Sequence, residues 1–302
     1  MKKPSTLINI LLITSVLFGK ESYRVLETPF HLRTLSMSGT GVSDSKGLDA
    51  SSMNPALLSR GGNSWQVSII KHPADINSMM IEKTSVIGKS HRSFTLKHMD
   101  YGNFVERDEN QNEIGEFSAG DTWLSASLSR SLFSFLDGGF SAGLLNSHID
   151  NVSSSVFLIS LGVSWELKRF ETVVGISVKN KGFIIQNYTD YAEDLPSSVA
   201  AGISKRLAHL PLQFLLEGEW WPGNKKGVIK IGGEFSLSHG MFFRWGTSTY
   251  RIDQSTGDLS NDILTASSVG FGLTIQKMSV DIGLQNNGIG GIVSGVGFSL
   301  LK

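Results

Sequence analysis

The sequence predicts an all-β protein: a transmembrane antiparallel β-barrel of about fourteen strands with a small N-terminal plug of helical turns and loops. Three observations predict it. Apolar residues alternate with small or polar ones along most of the chain, and a period of two is the period of a strand. The connections between these stretches alternate between short and long. A short apolar run near the N-terminus has the form of an export signal. The alternation is clearest over 268–285. There Val269, Phe271, Leu273 and Ile275 share one face, and Met278, Val280, Ile282 and Leu284 continue it after a tight turn. The opposite face carries Ser268, Gly270, Gly272, Ser279, Asp281 and Gly283. A large apolar face backed by a small polar one suits a sheet with lipid outside and water inside.

Composition narrows the function classes. The chain has 302 residues and a formal net charge of zero, so it presents no electrostatic footprint for nucleic acid. It has no cysteine, which excludes disulfides, a thiol nucleophile and cysteine metal ligands. Its 33 glycines are many for the length; glycine weakens a soluble strand and is useful on the crowded inner face of a barrel.

Taken in order, Lys2 and Lys3 precede an apolar run over 7–18, which is too short to span a bilayer as a helix. Residues 1–19 therefore read as a signal peptide, although Leu17 and Gly19 only approximate the small-residue cleavage pattern. Together with the lack of cysteine, export indicates a bacterial envelope protein, and with the barrel reading the bacterial outer membrane is expected. Residues 20–62 form the plug segment, because over 34–60 the period of two disappears. Small residues, Asp44, Asp49 and an Asn54-Pro55 step indicate short helical turns there. With Gly39, Gly41, Ala56 and Leu57, this stretch resembles the amino-terminal segment of FadL-like outer-membrane barrels, including their PorV and PorQ branch. That resemblance implies a segment packed in or under the barrel, with Gly39, Asn54, Pro55 and Ala56 as its structural motif.

The barrel occupies 63–302. Strands are expected near 64–72, 76–86, 92–99, 121–131, 138–146, 155–167, 170–179, 197–206, 211–221, 226–237, 240–249, 265–276, 277–285 and 291–301. Glu217, Glu219, Lys230, Glu234 and Asp281 all fall on the small-residue face. A charge facing lipid is costly, so that face lines the lumen. Even-numbered connections are short and several odd-numbered ones are long (100–120, 147–154, 180–196 and 250–264). This is the pattern of periplasmic turns and outer loops. Trp65, Trp123, Trp165, Trp220 and Trp221 lie near strand ends, where an interfacial girdle is expected, and Trp245 lies mid-strand. The chain ends on Lys302, where many such barrels end on an aromatic residue.

The most individual stretch runs from His98 through Asp100-Tyr101-Gly102-Asn103-Phe104 to Gly115-Glu116-Phe117-Ser118-Ala119-Gly120-Asp121. With Ser147-His148 and Asp150 it resembles the PorQ group of the type IX secretion system of Bacteroidetes-type bacteria. The resemblance implies a non-enzymatic anchor for a surface attachment complex. The implied partners are a PorZ-like surface protein, a PorV-like barrel and a PorU-like sortase, besides outer-membrane lipid. The docking surface is then expected on the 100–120 loop, at Tyr101, Phe104, Glu113, Glu116 and Phe117.

Sites for chemistry find little support. Asp108, Asn110 and Asn112 open like a calcium loop, but Glu113 stands at the glycine position and Ala119 at the closing glutamate. The seven histidines form no His-x-x-x-His pair, and Ser147, His148 and Asp150 are too close in sequence for a triad assembled by geometry. Gly288-Ile289-Gly290-Gly291 lacks dinucleotide spacing. No catalytic residue, cofactor or metal is expected. Two further readings remain open. One is a FadL-like channel for hydrophobic small molecules, with 39–58 as its plug and a strand kink, with Gly232-Gly233 in view, as its exit. The other is a secreted soluble β protein.

Overall fold

The structure, a computed structural model, describes residues 23–47, 49–189, 193–253 and 264–302. The expected export segment 1–19 lies outside them. Fourteen strands close into one antiparallel barrel, each pairing with its neighbours in sequence and the last with the first. In the first half these are β1 (Ser64–Lys71), β2 (Asn77–Ile87), β3 (Ser90–Arg107), β4 (Glu113–Phe133), β5 (Leu136–Ile149), β6 (Val152–Leu167) and β7 (Thr172–Gln186). The second half comprises β8 (Ser198–Arg206), β9 (Leu212–Trp221), β10 (Lys226–Ser236), β11 (Met241–Ser248), β12 (Ser267–Ile275), β13 (Met278–Asn286) and β14 (Ile292–Leu301). Closure between Ser64–Lys71 and Ser294–Leu301 leaves the sheet without an edge. Among the described residues no helix is long and apolar enough to cross a membrane.

The alternation sets which face looks out. On β1 the burial pattern is strictly alternating, with Trp65, Val67 and Ile69 exposed and Gln66 and Ser68 buried. The same holds on β12, where Val269, Phe271 and Leu273 face outward and Ser268 is buried. Exposed apolar side chains recur around the whole circumference, as at Phe94, Leu128, Phe140, Leu161, Ile203, Ile229, Ile282 and Phe298. A continuous apolar belt of this kind belongs against lipid, because water-exposed apolar patches of that extent are rare.

The lumen is filled by residues 23–47 and 49–60. They make a helical turn Arg24–Glu27, a turn Leu32–Leu35, a turn Ala50–Met53 and a longer turn Pro55–Arg60. Asn54 caps the last of these, its side chain accepting from the Ala56 N–H, and Pro55 opens it where no N–H is needed. The plug backbone passes close to the wall where the wall has no side chains. Gly139, Gly162, Gly175, Gly232, Gly246, Gly270 and Gly283 face the plug on seven different strands. A Cβ at Gly246 would overlap the Met37 backbone, and one at Gly175 would overlap the Val42 carbonyl. The lumen-side glycines are thus a seat for the plug.

Three expectations change. The 100–120 stretch is largely strand: β3 and β4 run on past their neighbours as a two-stranded hairpin, with a bulge between Asp100 and Asn103. Likewise β5, β6 and β7 extend into stretches expected as outer loops, so the β5–β6 connection shrinks to Asp150 and Asn151. Gly232-Gly233 is no kink, since β10 pairs continuously through both residues with β9 and β11. The girdle is also thinner than expected. Trp65, Trp165 and Trp220 face outward, whereas Trp123 and Trp221 are buried inside the barrel.

The glycine seat gives a direct prediction. Gly246→Val forces a branched side chain into the Met37 backbone, and overpacking of this kind costs about 1–3 kcal/mol or more. The heat-modifiable folded band on a gel is expected to shrink sharply. Gly218→Ala, with open space around its Cβ position, is expected to leave that band unchanged.

Candidate functional site

The candidate site is the lumen, and its two sectors differ in chemistry. On the β9–β13 side, wall charges and plug charges match one another. Glu234 on β10 accepts from Arg33 Nε of the plug at 2.8 Å, from Arg244 Nε of β11 at 2.6 Å and from Lys46 of the plug. Arg33 also bonds Asp44, and Arg244 reaches Asp281 at 2.5 Å. One turn along the wall, Glu217 accepts the Gly41 and Val42 N–H groups at 2.8 and 2.9 Å. Glu219 pairs with Lys179 at 2.5 Å and with Lys230 at 2.6 Å, and Lys230 also donates to the Gly39 carbonyl at 3.2 Å. Buried charges are tolerated only when paired and hydrogen-bonded, so wall and plug depend on each other here. The five residues Glu217, Glu219, Lys230, Glu234 and Asp281 all lie in this sector and point into the lumen.

The plug motif is spread across the seat. Asn54 Nδ2 donates to the Val42 carbonyl at 2.8 Å and to the Val163 carbonyl of β6 at 3.0 Å. Ser129 of β4 donates to the Ala56 carbonyl at 2.9 Å. Gly39 adopts φ +78°, the left-handed region that favours glycine.

On the β2–β7 side the lumen carries an apolar cluster at the end where the odd-numbered connections lie, with the buried Lys97 Nζ over the Phe30 and Trp123 rings at 5.2 and 4.5 Å. Met80, Met99, Trp123, Leu145, Val156 and Leu158 point inward and pack on Tyr23, Val25, Leu26 and Phe30 of the plug. Residues 23–30 form a strap across this end. It is held by Tyr23 OH with Ser154 Oγ at 2.6 Å, by Asn180 Nδ2 to the Leu26 carbonyl at 3.3 Å and by Ser68 Oγ to the Phe30 carbonyl at 2.5 Å.

Above the apolar cluster a groove of about 490 Å³ opens at the mouth, walled by Tyr23, Tyr101, Phe104 and Tyr188 with Asp121 and Glu193 beside them. Burial raises the Tyr23 phenol, and the nearby carboxylates of Glu193 and Asp121 add to that rise against the opposing bond from Ser154. Burial likewise pushes the Tyr188 phenol up to about 12, with Asp121 contributing.

The five residues expected at a docking loop separate. Phe104 and Phe117 stack on the projecting hairpin, 5.3 Å between ring centroids, and Glu113 and Glu116 are exposed on it. Tyr101 turns inward instead, its hydroxyl donating to Asp121 at 2.6 Å, because the bulge after Asp100 and the φ of +84° at Gly102 re-aim the strand. Asp108 is occupied by its own turn, accepting from the Asn110 and Asn112 N–H groups, both at 2.8 Å. No group of three or more His, Asp or Glu able to hold a metal occurs among the described residues.

The apolar sector was missed from the sequence, yet it left a signal. Met79-Met80-Ile81, Leu144-Leu145 and Val156-Phe157-Leu158-Ile159 are runs without alternation, the mark of strands apolar on both faces.

Glu234 gathers three cations, so its removal tests the latch. Breaking a buried pair by deleting one partner costs about 3–5 kcal/mol. Glu234→Ala is expected to lower the unfolding temperature markedly and to open 31–60 to protease, whereas Arg60→Ala, whose pairs with Asp137 and Glu166 are long at 3.4 and 3.8 Å, is expected to have a small effect.

No protein-family model matches the chain, and no curated protein matches it in sequence. Solved structures do match in fold. The Pseudomonas putida toluene transporter TodX superposes with a TM-score of 0.64 at 12% identity, covering 90% of this chain and 98% of that one. The CymD monoaromatic hydrocarbon channel gives 0.63 at 12% identity, covering 90% and 97%. The Ralstonia pickettii toluene transporter TbuX gives 0.60 at 12% identity, covering 90% and 98%. All three are described as channels or transporters. At these identities the shared property is the barrel fold, over nearly the full length of both chains.

Proposed function

We propose that the protein is an outer-membrane channel for small apolar molecules, a FadL-like reading that outranks the secretion-anchor reading. The observation that carries it is the apolar sector of the lumen. A barrel serving only as an anchor gains nothing from Met80, Met99, Val156 and Leu158 facing inward, because a plugged lumen is equally well filled by the polar network opposite. An apolar solute meets the mouth groove first and the Met-rich cluster below it, and methionine adapts to varied shapes.

The passage has a side exit. β7 and β8 pair only as far as Lys179 with Ser198, while β7 continues to Gln186 against β6 alone. Ile184 and Leu195, both packed on the apolar cluster, border that unpaired stretch. Phe183 and Ile185 stand on its outer side, exposed. A solute displacing the 23–30 strap reaches lipid there without crossing the ionic sector, where desolvation would oppose it.

Leu158→Trp tests the passage by filling the cluster. Uptake of toluene into proteoliposomes is expected to fall several-fold while the folded band on a gel is unchanged. Undiminished uptake with a folded variant contradicts an apolar route through this sector.

A second reading rests on the β3–β4 hairpin, which projects past its neighbours with Val105 and Ile114 exposed beside Glu113 and Glu116. Such a rigid projection suits docking of a surface protein, as the resemblance to the PorQ group implies with a PorZ-like protein, a PorV-like barrel and a PorU-like sortase. Replacing 105–114 with a Gly-Ser turn is expected to release a stoichiometric surface protein from detergent pull-downs of the tagged barrel. A lone barrel recovered before and after replacement contradicts docking.

A further inference from the structure

The mouth groove has a composition that an apolar solute alone does not require. Asp121 is only 4% exposed, and its carboxylate accepts from Tyr101 OH at 2.6 Å and from Ser147 Oγ, which in turn accepts from Tyr188 OH. Both partners are hydroxyls. Glu193 also borders the groove, and its Oε2 is buried with no hydrogen-bond partner. Among the described residues no Lys, Arg or His nitrogen lies within ion-pair distance of either carboxylate. Arg24 and His148 also border the groove, but Arg24 is turned to Glu27 at 3.0 Å. This contrasts with the ionic sector, where Glu219, Glu234 and Asp281 each meet a cation. The walls are aromatic: Tyr23 and Tyr188 stack at 6.3 Å, and Tyr101 and Phe104 face the same space.

We propose that the mouth groove binds organic cations, ammonium compounds carrying an aromatic or aliphatic body. A carboxylate without a countercharge attracts a cation and repels an anion, and it offers a neutral hydrocarbon nothing. Aromatic faces attract the same ligand, because a cation is drawn to the negative face of the ring. The apolar body then lies on Phe104, Ile149 and Val152 at the groove's outer wall. The inference rests on the groove being the mouth of the proposed passage, and it names a solute class for it.

The test compares phenyltrimethylammonium with tert-butylbenzene, which has the same shape and no charge. Binding of each to the purified full barrel in amphipol is measured for the wild type, Asp121→Asn and Glu193→Gln, so that partition into the amphipathic shell cancels between variants. Phenyltrimethylammonium is expected to bind the wild type at least about tenfold tighter than Asp121→Asn, the scale of a desolvated cation–aromatic and ionic contact. A smaller loss is expected for Glu193→Gln, which lies outside the strands and tests the site even where Asp121→Asn fails to fold. Tert-butylbenzene is expected to bind all three alike. Equal binding of the cation to wild type and folded variants overturns the proposal. So does displacement of the cation by tert-butylbenzene at equal concentration. Flux assays separate the two readings: transport of tert-butylbenzene without cation binding overturns this inference and leaves the passage standing. Asp121-dependent cation binding with no flux of either compound sinks the passage and leaves the site.

Discussion

A closed barrel of fourteen strands solves the edge problem and creates another, a lumen that must be filled or left to water. The ion cluster at Glu234 shows how this chain solves it. Arg33 and Lys46 from the plug and Arg244 from the wall converge on one carboxylate. Neither wall nor plug is satisfied alone, because a buried charge stripped of its partner costs several kcal/mol. The glycine seat is the steric counterpart of this electrostatic demand. Gly139 and Gly162 stand on strands where Asn54, Pro55 and Ala56 press against the wall, and Gly246 and Gly270 stand where Ser36 and Met37 do. The position of the plug fixes everything else in the lumen, including the strap that covers the apolar sector.

That division gives the two sectors separate work. The ionic side holds, and the apolar side is free to exchange contacts of low directionality. Strap residues Val25, Leu26 and Phe30 contribute only packing to the cluster, and the strap's hydrogen bonds to Ser154, Asn180 and Ser68 are few. A segment held by packing and a few hydrogen bonds lies at the low-stability end of a structure. The exposed seam above Lys179 adjoins this segment, and its lower end meets the ionic side where Lys179 pairs with Glu219.

Much of the fold was legible because its physics is local. Alternation at Trp65–Ile69 and Val269–Leu273 follows directly from one face in lipid and one in the lumen, and the number of strands followed from it. The projecting hairpin was not legible for the same reason. Residues 104–117 pair only with each other and have no buried face, so they carry no alternation to read. The ionic sector could be placed on the lumen face from Glu217, Lys230 and Asp281, but its partners Arg33, Lys46 and Asp44 lie in an aperiodic segment far away in sequence. The Asn54-Pro55 step was readable as a sign of short helical turns, since turn chemistry is a neighbour effect. The apolar sector was hidden because Met80, Leu145 and Leu158 look, one at a time, like ordinary strand residues. Only their place beside outward Met79, Leu144 and Phe157 reveals that both faces are apolar. Trp123 and Trp221 misled for a related reason: nearness to a strand end fixes depth, and parity fixes the face.

The proposed passage requires that small apolar molecules occupy the β2–β7 sector of the lumen. The most direct measurement is the anomalous signal of iodobenzene diffused into crystals of the full barrel. Iodine is expected in the mouth groove or among Met80, Met99, Val156 and Leu158, with the 23–30 strap shifted and the Glu234 cluster undisturbed. Iodine confined to the lipid-facing belt, with the lumen empty of it, would contradict the account.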